Sequence, residues 1–302
     1  MGRAMVGRTG RVASAMALAA LVTITANASV RPPLPAIPTT RDHVVVLVME
    51  NHEYGAIIGS SAAPYLNSLA ADSVLLTQMY AIRHPSLPNY LALVGGSTFG
   101  IKTDCTDCSV YATNLVDQLE GANVGWRAYM ESMPGPCFTG ASSGLYVKKH
   151  NPFLYFDDIR TDPARCNNIF PLTQLDPDLQ AETLPPFAWI TPNLCNDMHD
   201  CSVSTGDSFA ANLVPRILPQ LGTDGILIVT FDEGTSGARC CKVARGGHIA
   251  TIIAGPGARH GVRVTQTSDL YSLLQLIEDN WGRPHLRKAG CTCTPTLTGW
   301  GS

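Results

Sequence analysis

Glu50 and Asn51 stand directly behind an uninterrupted apolar run, His43-Val44-Val45-Val46-Leu47-Val48-Met49, and Asp232 and Glu233 stand behind a second, Gly225-Ile226-Leu227-Ile228-Val229-Thr230-Phe231. A run apolar at every position suits a strand covered on both faces, and open α/β sheets bind ligands at the carboxyl ends of their strands. Carboxylates that converge there repel one another unless a proton or a cation neutralises them. The two strand ends therefore point to a divalent metal ion.

Three further segments carry candidate chemistry. His84-Pro85-Ser86-Leu87-Pro88-Asn89-Tyr90 follows a strand-like run and opens an apolar helical pattern, with Pro88 suited to the first turn. Ser86 then lies at a helix N-terminus, where free N–H groups and the dipole bind phosphate or stabilise an alkoxide. It is either an ordinary N-cap or a nucleophile activated by the cation. Asn193-Leu194-Cys195-Asn196-Asp197-Met198-His199-Asp200 follows another apolar run. There Asp197 and His199 could ligate metal, or His199 could donate a proton, or the loop is merely solvated. Gly246-Gly247-His248 combines paired glycines with a histidine, as a tight turn or a close approach to ligand. The run Tyr146-Val147-Lys148-Lys149-His150-Asn151-Pro152 gathers three potential cations, which is either a phosphate contact or a solvated face. No Gly-x-Ser-x-Gly elbow, Walker loop or dinucleotide fingerprint is present, which weakens an esterase reading and gives no indication of nucleotide cofactors.

Strand-like runs at His43–Met49, Val74–Tyr80, Val124–Met130, Phe187–Thr191, Gly225–Phe231 and His248–Ala254 must position these residues. Helical patterns cover Ser208–Leu221, with Asp207 as N-cap, and Asp269–Trp281 behind Ser268. Strands alternating with helices imply crossovers and a mostly parallel sheet flanked by helices. Residues 100–186, rich in Cys, Gly and Pro, read as an elaborated loop or cap region that shapes access. Residues 1–28 read as a signal peptide: Arg3, Arg8 and Arg11 precede an apolar stretch that ends in Ala26-Asn27-Ala28. A proline-rich lead-in follows, and residues 29–302 then form a single domain. Ten cysteines in an exported chain read as loop disulfides rather than zinc ligands, despite the Cys105-x-x-Cys108 spacing. The formal net charge of −3 offers no basic surface for nucleic acid, and no segment makes a stable membrane span.

Taken together, Met49-Glu50-Asn51-His52, the Ser86 segment, Lys149-His150-Asn151-Pro152, Asn196-Asp197-Met198-His199-Asp200 and Asp232-Glu233 resemble the bacterial phosphoesterase family. That family groups secreted acid phosphatases with phospholipases C, and the resemblance is closest to its small secreted acid phosphatases, those of phosphatidylinositol-3-phosphatase type included. The resemblance implies an alkaline-phosphatase-like α/β sandwich and a phospho-enzyme intermediate. It makes Ser86 the nucleophile and puts Glu50, Asn51, Asp232 and Glu233, with Asp197 as a further candidate, around a divalent metal. Asn89, Lys149, His150, His199 and His248 would then contact phosphate or the leaving group, with His199 as the acid. The phospholipase C pattern has an Arg after Asn89, where Tyr90 stands in this chain.

The expected protein is a secreted or cell-envelope, metal-dependent phosphomonoesterase acting on phosphorylated small molecules or phosphoinositides. A phospholipase C-type phosphodiesterase is the alternative within enzymes, and a disulfide-stapled secreted binding protein the alternative outside them.

Overall fold

A computed structural model describes Gly2 and residues 42–302. The expected signal peptide and the proline-rich lead-in lie outside the described residues, Gly2 apart. A nine-stranded sheet organises the chain: β1 Val44–Met49, β2 Val74–Tyr80, β3 Trp126–Met130, β4 Ile169–Pro171, β5 Phe187–Thr191, β6 Ile226–Phe231, β7 His248–Ala254, β8 Val262–Val264 and β9 Ser268–Asp269. The order is β8-β2-β7-β6-β1-β5-β3-β4, with β9 also on β2. All pairings are parallel except those of β7, which runs antiparallel to both β2 and β6. Successive residues of a strand point to opposite faces, yet every residue of β1, β5 and β6 is buried. Both faces of the sheet centre are therefore covered, which is why these segments read as continuous apolar runs. The mixed α/β architecture with a mostly parallel central sheet is as the sequence implies.

Helices α1 Pro64–Asp72 and α4 Val203–Ile217 pack on one another, as do α2 Leu87–Gly95 and α5 Leu270–Asn280. One helix boundary departs from expectation. Asp207 is not the N-cap of α4; Ser202 is, accepting from the Thr205 N–H. Asp207 is buried one turn further in, and its carboxylate accepts from the backbone N–H groups of Tyr65 and Leu66 at 3.1 and 2.8 Å. Helix α1 starts at Pro64 behind Ala63, whose side chain makes no cap bond, so a residue from another helix satisfies its free N–H groups. The far end also differs, because a 3₁₀ turn, Leu218–Gln220, separates α4 from Leu221.

Residues 100–186 are not loop throughout. They contribute β3 and β4 to the sheet, together with helix α3, Leu115–Gly121, capped by Asn114. All ten cysteines pair: Cys105–Cys108, Cys137–Cys166, Cys195–Cys201, Cys240–Cys241 and Cys291–Cys293. No helix among the described residues is long and apolar enough to cross a membrane.

Candidate active site

The neighbouring parallel strands β1 and β6 end in register, Met49 opposite Phe231, so Glu50 and Asp232 leave the sheet side by side. Both carboxylates are fully buried. The next residue, Asn51, takes φ 56°, a left-handed conformation that asparagine tolerates, and its N–H donates to Asp232 Oδ1 at 3.2 Å.

Ser86 approaches this pair from the turn between β2 and α2. Asn89 builds that turn: its Oδ1 accepts from the Ile82 and Arg83 N–H groups at 3.0 Å each, and its Nδ2 donates to Arg83 O at 2.7 Å and Pro85 O at 3.3 Å. Asn89 is buried and its hydrogen-bonding capacity is spent on the backbone, so it supports the serine rather than facing a phosphate. Ser86 stands at the N-cap position of α2, yet its hydroxyl makes no cap bond. The hydroxyl instead donates to Glu50 Oε2 at 3.0 Å, with Glu233 Oε1 at 3.5 Å. The other Glu50 oxygen accepts from the Tyr90 hydroxyl at 2.6 Å.

His150 lies between two carboxylates, with Nε2 3.2 Å from Glu50 Oε1 and Nδ1 3.2 Å from Asp197 Oδ2. These separations would suit an imidazolium, but burial, with the Lys149 ammonium, holds its pKa well below the usual histidine value. Neither ring nitrogen makes a hydrogen bond, and a neutral ring would keep one lone pair free. Burial drives the carboxyls the other way. Glu50 is raised well above the usual range by burial and by Asp232, Asp197 and Asp232 are each pushed to about 7, mainly by burial, and Glu233 is pushed to about 9 by burial and Asp232. Four carboxyls packed this closely must keep protons or share a cation. Asp197 Oδ2, Asp232 Oδ2 and both His150 nitrogens are buried without a hydrogen-bond partner, and Glu50, His150 and His199 offer ligand atoms within 4.8 Å of one another. Oxygen and imidazole donors left open in this way fit a divalent ion.

Lys149 and His199 stand at the edge of the cluster. Lys149 Nζ lies 3.1 Å from Asp104 Oδ2 and 3.2 Å from His199 Nε2. Burial works against its ammonium, but Asp104 and Glu50 outweigh burial and hold the pKa above the usual value. His199 Nδ1 lies 2.6 Å from Asp200 Oδ1. A carboxylate there accepts from an Nδ1–H, the tautomer that leaves Nε2 as a lone pair toward Lys149. In that tautomer Nε2 is an acceptor or ligand atom.

Most of the residues named from sequence meet here, with one clear exception. His248, expected at the phosphate, is stacked between Tyr54 and Tyr80 with its Nε2 2.9 Å from Thr77 O. The structure also adds residues that sequence reasoning missed. Tyr90 holds Glu50, His84 Nδ1 lies 2.7 Å from Glu233 Oε2, and Asp104 Oδ1 accepts from the Leu87 N–H at 3.0 Å. Tyr90 could have been found, since it lies one helical turn from Ser86 and Leu87. Asp104 sits in a cysteine-rich loop with no periodicity, which gave no signal.

The sequence profile of the Phosphoesterase family matches residues 60–284. A phosphatidylinositol-3-phosphatase of Mycobacterium tuberculosis is 34% identical over 269 residues, covering 88% of this chain and 85% of that one. An acid phosphatase of Aspergillus fumigatus is 30% identical over 256 residues; the match covers 80% of this chain but 55% of the fungal protein. Among solved structures, a protein in the alkaline phosphatase superfamily from Vibrio parahaemolyticus superposes with a TM-score of 0.57 at 14% identity, covering 84% of this chain and 71% of that one, which supports the fold alone. With a serine hydroxyl hydrogen-bonded to a buried carboxylate at the strand ends, and with these matches along most of its length, the chain belongs to the Phosphoesterase family and is a phosphoric ester hydrolase.

Proposed function

We propose that the protein is an exported, metal-dependent phosphomonoesterase working through a phosphoserine on Ser86, with phosphoinositides among its substrates. One observation carries this reading: the Ser86 hydroxyl stands at a helix N-terminus but donates to Glu50 instead of capping the helix. A hydroxyl that only capped α2 would turn toward the free N–H groups of the first turn.

Glu50, Asp197, Asp232, Glu233, His150 and His199 would hold a divalent cation, with Asn51 beside them. Such an ion lowers the pKa of a neighbouring hydroxyl and offsets charge on phosphoryl oxygens. The chain's own residues supply the remainder. Glu50 Oε2 accepts the Ser86 proton as that oxygen attacks phosphorus in line, the P–O bond to the substrate alcohol breaks and the departing oxygen takes a proton from solvent, while Tyr90 fixes the rotation of the carboxylate. The Leu87 N–H and the Lys149 ammonium, both now on Asp104, would grip phosphoryl oxygens in exchange for it. Water then cleaves the phosphoserine. The Mycobacterium tuberculosis relative, named a phosphatidylinositol-3-phosphatase and matched along most of both chains, favours phosphomonoesters with phosphoinositides among them. Ten paired cysteines favour an oxidising compartment outside the cytoplasm.

The test is a brief incubation with a labelled phosphomonoester followed by acid quench. Phosphate should remain on the peptide containing Ser86, and Ser86→Ala should abolish both label and turnover while the melting temperature stays close to that of the unaltered protein. Turnover by the alanine variant at the unaltered rate would replace Ser86 with direct attack by water.

A further inference from the structure

The loop between β6 and β7 is laced to the segment that leads into Ser86. The Arg245 N–H donates to Ile82 O at 2.8 Å, the Gly246 N–H to Ala81 O at 2.9 Å, and the Gly234 N–H to Gly246 O at 2.7 Å. Ser236 O lies 2.9 Å from His84 Nε2. The outer part of the loop folds back on itself: Cys240 and Ala244 exchange both backbone hydrogen bonds, the Cys240–Cys241 disulfide joins adjacent residues, and Cys241 and Lys242 both adopt positive φ. This fold forms a cleft of about 300 Å³ lined by Arg239, Lys242 and Arg245 together with Cys240 and Ala244.

The three cations are exposed and make no ion pair among the described residues. Elsewhere Arg127, Lys149, Arg160, Arg165 and Arg216 each face a carboxylate, and Arg263 and Arg287 donate to backbone carbonyls. In a chain of formal net charge −3, three unpaired cations lining one concavity are a local excess of positive charge. Here the backbone is held on both sides, so the charges are gathered before any ligand arrives, and arginine presents a fork that matches phosphate oxygens.

We propose that this cleft is a second anion subsite, which binds a second phosphate group, as monoester or diester, on the same molecule whose phosphomonoester meets Ser86. The inference rests on the phosphatase reading and narrows it to substrates that carry at least two phosphates.

The experiment compares kcat/KM for p-nitrophenyl phosphate, fructose 1,6-bisphosphate and a soluble short-chain phosphatidylinositol 3-phosphate, using the full chain and the Arg239→Ala/Lys242→Ala/Arg245→Ala variant. The variant should lose at least tenfold on the two substrates with a second phosphate and keep its rate on p-nitrophenyl phosphate, and raised salt should shrink the difference. The bisphosphate and the lipid headgroup serve as separate arms, and a loss on only one of them identifies the kind of second phosphate accepted. An equal loss on all three substrates, or no loss on any, overturns the subsite. If the unaltered protein does not turn over p-nitrophenyl phosphate, the phosphatase reading itself fails.

Discussion

Tyr90 donates its hydroxyl to Glu50 Oε1 at 2.6 Å while its ring stacks on His150, with centroids 5.3 Å apart and planes 14° from parallel. Burial and the Glu50 charge hold the phenol well above its usual pKa, so it remains a donor. One side chain thus sets both the carboxylate that faces Ser86 and the imidazole behind it. Tyr90→Phe should lower kcat/KM roughly tenfold, the effect of about 1.4 kcal/mol of lost positioning, while folding to the same structure. Steady-state kinetics beside a thermal melt check this, and unchanged kinetics would show that Glu50 needs no such support.

The buried carboxyls lead to a metal prediction with a readout other than rate. A divalent ion should raise the melting temperature of chelated protein, because it replaces protons that the crowded carboxyls otherwise hold. Asp232→Asn should shrink that rise and cut activity at least a hundredfold, on the order of 3 kcal/mol. An identical metal-induced shift in the variant, measured by calorimetry, would remove Asp232 from the site.

Asp104 already sits as an anion on the Leu87 N–H and the Lys149 ammonium. Phosphate must compete with it for those donors. Asp104→Asn should therefore tighten competitive inhibition by inorganic phosphate at least threefold, read from the Ki against p-nitrophenyl phosphate. A weaker Ki would show that Asp104 orients Lys149 instead.

Glu278 offers a pH test away from the site. Burial pushes its carboxyl to about 8, against hydrogen bonds from Leu286 and Gln118. Below the ordinary value of 4.5 both folded and unfolded chains hold the proton, whereas between 4.5 and about 8 only the folded chain holds it. This group's contribution is therefore full at low pH and is lost as pH rises through about 8. Glu278→Gln should gain stability over the unaltered protein as pH climbs from 5 to 9, by no more than about 5 kcal/mol. Urea melts at the two ends of that range measure it, and a constant difference between the proteins would refute the assignment.

The parts of the fold legible in sequence were those with a repeating physical signal. The runs at Val74–Tyr80, Phe187–Thr191 and His248–Ala254 emerge as strands with the same bounds, because a strand buried on both faces, wholly in Phe187–Thr191 and for the most part in the other two, leaves a stretch of mainly apolar residues. Strand β4 was missed: three residues ending in Pro171 are too few to show a period. Asp207 misled because a cap for one helix and a cap for another look alike in one dimension. Glu50, Ser86 and Asp232 could be placed because each follows a strand or opens a helix. His248 could not, since a histidine that begins a strand gives no sign whether it faces ligand or two tyrosines.

The backbone seam between the β6–β7 loop and residues 81–83 has a consequence for how this chain can vary. A Cβ on Gly246 would come 2.7 Å from the Arg83 N and O atoms, and Gly247 takes φ 97° against the Gly234 Cα. Neither position accepts a side chain without shifting the stretch that aims the nucleophile, whereas the stretch from Thr235 to Lys242 is largely exposed. The loop therefore behaves as an exchangeable cassette on a fixed clip. Its tip can be lengthened, recharged or grafted from another chain to change what docks beside the serine, provided the two glycines at its base are kept.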